Sequence, residues 1–295
     1  MHAFAIPFLL LVGGLLALQA AANVQLSAAA GSPAAGATLQ LAVGATLLLA
    51  IATAAGTLTA LTLDAPLWHL LGGLGSALYI SAGILLFPRL GAVLTVGLLI
   101  AGQMLTSVAV DTNGWLGVGK EPLTAPALIG TVAVLAGATL IVRAQGATTR
   151  SAAWMGLAVL AGAALPVQGA INAQLRADLD APLTAALWSF VVATAAMALI
   201  VAATRPPRPQ MQPLARLPWW GWLGGLCGAT YVTSVFLLIP HIGVAPTVAL
   251  TVAGQQLASV LVDRHGWLRL PRRAITRERL AGVALLLAGV ALLSQ

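Results

Sequence analysis

The stretch AGQMLTSVAVDTNGW, residues 101–115, carries an amide, a hydroxyl and a carboxylate (Gln103, Ser107 and Asp111) four residues apart in an otherwise apolar run. The chain writes it again as AGQQLASVLVDRHGW, residues 253–267, with Gln255, Ser259 and Asp263 in the same places. Laid on a copy 152 residues further on, the segment from Gly72 to Trp115 keeps 22 of 44 positions. Upstream the match continues at an offset of 149, where LQAAANVQL (18–26) faces VQGAINAQL (167–175) and Pro33 faces Pro182. Self-similarity of this extent marks an internal duplication.

The surroundings of the stripe identify its solvent. The 295 residues are 60% hydrophobic and 7% charged, with a mean hydropathy of +0.98. A soluble domain carries about 25% charged residues and needs them to cover its surface. Ten apolar runs stand out, at 4–26, 34–55, 67–87, 91–110, 124–142, 152–176, 183–203, 219–239, 243–262 and 277–293. Each comes near the roughly 20 residues a helix needs to cross a bilayer. None shows the period-2 alternation of barrel strands, which are only about 9–11 residues long. The expected fold is therefore all-α and integral to the membrane, with ten transmembrane helices. The first run lacks a basic leading segment and is long for a signal sequence, so it reads as a membrane helix. Cys227 is the single cysteine and forms no internal disulfide; small-residue packing explains it.

Each copy holds five runs, an odd number, so the second copy enters the membrane from the opposite face. The basic residues agree. Loops on one face carry twelve of the fourteen: Arg89, Arg143, Arg150, Arg205, Arg208, Arg216, Arg264, Arg269, Arg272, Arg273, Arg277 and Arg279. The other face has Lys120 and Arg176. The positive-inside rule places the first face in the cytoplasm of a bacterial cell and both termini outside it. Residues 1–143 form the first five-helix repeat, 144–150 a cytoplasmic linker and 151–295 the second repeat, inverted about a pseudo-two-fold axis in the membrane plane. Confinement of the net +7 charge to these loops makes it an orientation signal, not a nucleic-acid surface. For the basic loop from Arg264 to Arg279, contact with anionic headgroups is a second reading. The proline-rich segment 205–218 reads as a stiff loop, with WWGW (219–222), Trp115 and Trp267 as interfacial anchors. FPRLG (87–91) and IPHIG (239–243) read as equivalent tight turns. Gly130 and Gly137, repeated by Gly282 and Gly289, suit helices 5 and 10 to pack on each other.

Spacings of four and eight place Gln103, Ser107 and Asp111 on one helix face, with Gln103 near the midplane and Asp111 at the boundary. Helix 1 adds Gln19 and Asn23, and helix 6 adds Gln168 and Asn172. Amides buried in lipid need partners or a water-filled cavity. Together with Tyr79 and Tyr231, these residues are expected to bind a solute at the midplane. The alternative is hydrogen bonding between helices that only holds the bundle together. Asp111 and Asp263, the repeated carboxylates, are candidates for a gate or proton relay, against a boundary role in the turns DTNG and DRHG. The four histidines are scattered, and neither a Ser-His-Asp spacing nor a phosphate loop is present. No enzyme activity, metal or other cofactor is expected.

The motifs PVQGAINAQL (166–175), WLGGLCGATY (222–231) and the duplicated AGQ stretch together resemble the YdcZ-like branch of the drug/metabolite transporter superfamily, in its fused ten-helix form. The resemblance implies a ten-helix bundle with a central cavity, helices 5 and 10 peripheral, and secondary transport, often export, of small molecules. Small multidrug resistance relatives carry a membrane-embedded glutamate in their first helix. Here Gln19, Asn23, Gln168 and Asn172 stand in helices 1 and 6 with no carboxylate among them, which points to a neutral or zwitterionic solute. The expected partners are that solute, membrane lipid and a coupling proton; uniport, a non-transporting scaffold or receptor subunit, and any oligomeric state stay open. The topology has a direct check. A cysteine placed within residues 264–279 is expected to resist an impermeant thiol reagent in intact cells; ready labelling would reverse the orientation.

Overall fold

The computed structural model describes residues 2–58, 66–144, 151–206, 209, 211–242 and 244–293. The 145–150 linker segment, Asp64, Arg208 and the side chain of His241 lie outside the described residues. Ten helices of 17 to 28 residues are described. They are α1 (His2–Ala29), α2 (Pro33–Ala54), α3 (Gly73–Leu90), α4 (Ala92–Asn113), α5 (Ala125–Ala144), α6 (Ala152–Leu179), α7 (Pro182–Thr204), α8 (Leu223–Ile242), α9 (Val244–His265) and α10 (Arg277–Leu293). No strand occurs among the described residues. The first seven, with the 3-10 turn Leu67–Gly72 leading into α3, are long and apolar enough to cross a bilayer.

Local chemistry sets the boundaries. Pro33 and Pro182 open α2 and α7, where a missing N–H costs nothing, and Ser32 caps α2 by accepting from Ala35 N at 3.1 Å. The expected tight turn at 87–91 is instead the last turn of α3, which runs through Pro88 to Leu90 and breaks at Gly91 (φ 82°). Proline ends the helix later than expected because the break needs a positive φ, which only the glycine supplies at low cost. Arg89 turns back along α3 to donate to Leu85 O and lies 4.4 Å over the Trp154 ring.

The repeated turns after α4 and α9 share one backbone path. Gly114 and Gly266 are left-handed (φ 67° and 65°), as are Leu116 and Leu268 (φ 58° and 54°). Glu121 N donates to Asp111 O at 2.9 Å, and Arg273 N donates to Asp263 O at 2.8 Å. Exchanging Thr112 for Arg264 and Glu121 for Arg273 therefore changed charge without changing the path.

The two copies interlock. α1 packs mainly on α9 and α8, and correspondingly α6 packs on α4 and α3. α2 packs on α7 and α8, α7 on α2 and α3, and α5 on α10. Replacing each helix by the one five along returns the same pairing. At the tightest points no side chain intervenes: a Cβ on Gly13 would overlap the Thr251 carbonyl, and one on Gly254 the Leu10 carbonyl. The equivalent positions behave alike, Gly162 against Leu99 and Gly102 against Val159. Gly137, Gly282 and Gly289 do the same for α5 and α10. Surrounded in this way, α4 is buried without interruption from Ala92 to Met104. Gly254→Ala should destabilise the protein by about 1–3 kcal/mol of overpacking and so lower its melting temperature in detergent, whereas Gly169→Ala, with nothing within 4 Å, should not lower it. Equal melting for the two variants would remove the glycine contacts as the source of tight packing.

Candidate functional site

A buried helix start sets the strongest polar demand in this bundle. The first four N–H groups of a helix have no partner within it, and at the buried start of α4 the N-cap Gly91 has no side chain to supply one. Asp263, from the end of α9, supplies it. Its Oδ1 accepts from Ala92 N at 2.8 Å and its Oδ2 from Val93 N at 3.1 Å. Arg279, in the first turn of α10, donates to the same Oδ2 at 2.7 Å through Nη2 and to Ala274 O at 2.6 Å through Nη1. Asp263 is 1% exposed and Arg279 3%. The carboxylate thus joins three helices, and the helix dipole and the guanidinium both favour its charge there.

Its repeat-mate is in a different state. Asp111 is half-buried, and among the described residues its carboxylate has no hydrogen-bond partner. The difference extends inward. Ser259 is fully buried and bonds Gln256 O at 2.6 Å, whereas Ser107 is half-buried. Gln255 Nε2 donates to the Tyr79 hydroxyl at 2.5 Å, joining α9 to α3. The equivalent pair would be Gln103 and Tyr231. Instead Tyr231 hydrogen-bonds Thr251, and Gln103 Nε2 is buried with no partner among the described residues.

The amides of α1 and α6 meet the other copy, and Asn172 also bonds within its own. Ser76 donates to Gln168 Oε1 at 3.0 Å, and Asn172 Nδ2 donates to Ser189 Oγ at 3.1 Å. Asn172 Oδ1 lies against Gly72, as Asn23 Oδ1 does against Gly224, where a Cβ would displace either oxygen. Gln40 Nε2 reaches Gly224 O at 3.2 Å. Gln19, Asn23 and Tyr79 line one small cavity with Leu16, Phe87 and Leu99. Its volume, about 10 Å³, is roughly that of one water. Gln19 Oε1 and Asn23 Oδ1 have no hydrogen-bond partner among the described residues.

So the structure brings Gln19, Asn23, Tyr79 and Gln255 together, holds Gln168 and Asn172 in separate bonds to α3 and α7, and leaves Ser107 and Asp111 nearer the surface. The sequence reading missed Ser76, Ser189, Gln40 and Arg279. Ser189 and Gln40 occupy equivalent places at the 149 offset, a signal hidden because the residue types differ. Arg279 was counted only as a loop charge, yet it sits a turn inside an apolar run.

The family described as "Putative inner membrane exporter, YdcZ" matches residues 4–140 and again 153–292. No curated protein matches the chain. Among solved structures, one described only as "Crystal structure of protein" is similar with a TM-score of 0.60 and 20% identity, over 98% of this chain and 95% of the other. That likeness concerns the fold.

Removing one partner of a buried pair leaves the other charge uncompensated. Arg279→Gln is expected to destabilise the protein by about 3–5 kcal/mol, and Asp263→Asn in the same chain to restore part of that loss. A double-mutant cycle of thermal unfolding in detergent measures it; additive effects would mean the pair is not coupled.

Proposed function

The chain belongs to this family of inner-membrane exporters, and on that premise we propose that it is a secondary transporter moving a small polar or zwitterionic metabolite by alternating access. Ten spans in two inverted five-helix repeats rock about the amide-lined centre. One observation carries the reading: two carboxylates at equivalent places are in unequal states. Asp263 is buried and bonded to the start of α4, while Asp111 is half-buried. Part of that difference is written in the sequence, since Ala127 stands in the first copy where Arg279 stands in the second. A carrier closed on one face and loosened on the other puts the difference to use.

The mechanism follows from the inequality. With the orientation expected from the arginine-rich loops, the Asp263 end faces the cytoplasm and this conformation is closed on that side. In the opposite conformation Asp263 releases α4, and Asp111 takes the equivalent place at the start of α9. Tyr79 and Gln255 exchange their bond for one between Tyr231 and Gln103. Protonation of either aspartate removes the charge its donors hold, which couples a proton to the closing of one face. The unpartnered oxygens of Gln19 and Asn23 and the Gln103 amide suit a solute that both donates and accepts hydrogen bonds. With no carboxylate at this depth among the described residues, a bare cation has no counter-charge there.

The bonds Ser76–Gln168 and Asn172–Ser189 favour a second reading, in which the amides only hold a non-transporting scaffold together. Uptake and counterflow of a labelled metabolite panel in proteoliposomes separates the two. The expected result is a saturable flux that loses proton movement in Asp111→Asn or Asp263→Asn. Gln103→Ala with Gln255→Ala should abolish binding in a chain that still folds. The loss of a charge-assisted bond predicts about a 10-fold or greater fall in flux for Asp263→Asn. Folded protein that moves nothing across the panel favours the scaffold.

A further inference from the structure

The loop between α9 and α10, with the helix ends beside it, borders a half-open cavity of about 540 Å³ whose walls include Arg264, Arg272 and Arg273. Two of these guanidiniums are held in place by backbone carbonyls, which orient a charge without neutralising it. Arg272 Nε donates to His265 O at 3.2 Å, and Arg273 Nη2 donates to Pro88 O and Arg89 O at 3.3 and 3.1 Å. Arg264 is exposed. The acids nearby are engaged elsewhere: Asp263 with α4 and Arg279, and Glu278 with Thr276. Among the described residues none of the three arginines forms a salt bridge.

Exposed apolar side chains lie beside the cavity. Leu257, Leu261 and Arg264 follow one face of α9, and the two leucines are 48% and 42% exposed. Leu280 of α10, 48% exposed, lines the cavity itself. Trp267, stacked on His265 at 5.7 Å, and Arg269, 5.4 Å from the Trp220 ring, mark the interface level. Orientation in the membrane depends on the number of basic residues in a loop, not on their convergence around one cavity. Nor does the path of the turn depend on them, since Thr112, Lys120 and Glu121 occupy the same path in the first copy.

We propose that this cavity binds the phosphate of an anionic phospholipid. The guanidiniums of Arg264, Arg272 and Arg273 take the phosphate oxygens, and the acyl chains lie along Leu257, Leu261 and Leu280. The proposal rests on membrane embedding and holds whether or not the chain transports a solute.

Native mass spectrometry of the full chain in detergent tests it, with phosphatidylglycerol, phosphatidylcholine or inorganic phosphate added. The wild type is expected to hold phosphatidylglycerol about 10-fold more tightly than phosphatidylcholine, and Arg264→Gln with Arg272→Gln to bring the two within about 2-fold. Arg143→Gln with Arg216→Gln removes as much loop charge away from the cavity and should keep the preference. Arg264→Glu alone, at an exposed position, should lose it with folding intact. An unchanged preference in the cavity variants, or an equal loss in the charge-matched control, would overturn the site. Displacement of the lipid by an equal concentration of inorganic phosphate would make it a free-anion pocket and overturn the lipid assignment.

Discussion

Contact of backbone with backbone between the two copies is the constraint on which the rest of this structure depends. Lipid gives helices no hydrophobic reason to associate, so close approach and polar bonds must do it. Gly13 and Gly254 bring α1 onto α9, and Gly102 and Gly162 bring α4 onto α6. Once these contacts form, each copy completes the other. The amides of α1 and α6 then look across to α8 and α3, which is why Asn23 meets Gly224 and Asn172 meets Gly72.

The same crowding creates a cost that side chains must offset. With α4 enclosed, its first N–H groups lose access to water, and an unpaired buried donor costs about 1–3 kcal/mol. Asp263 meets that demand, yet a buried carboxylate brings its own cost and calls for Arg279. The peripheral α10, zipped to α5 by Gly137, Gly282 and Gly289, therefore does more than cover a surface. It delivers the counter-charge that keeps α4, α9 and α10 joined.

Much of this was legible in the sequence. Composition identified the solvent, the duplication identified the helix correspondence, and the glycine spacing in α5 and α10 gave their contact. Gln19, Asn23, Gln168, Asn172 and Gln255 were recognisable because a buried amide in an apolar run is conspicuous. Two of their partners were not. Ser76 is chosen by the crossing of helices far apart in sequence, which no spacing encodes, and Ser189, one helix on from Asn172, has no repeated residue type to mark it. The inequality of Asp111 and Asp263 is partly written there too: Arg279 serves Asp263, whereas the equivalent place in the first copy holds Ala127, which leaves Asp111 without a counter-charge.

The interlocking also imposes an order of events on synthesis. α1 is made first, but its main partner α9 does not begin until Val244. At about 5–20 residues per second the delay between them is on the order of 10–40 s. For that interval α1 waits with Gln19 and Asn23 facing whatever the bilayer or the insertion machinery offers. Asp263, made later, waits only as long as the short loop to Arg279. The chain thus meets its smaller polar demands late and its charged one almost at once, an order that spares a buried carboxylate a long exposure to lipid.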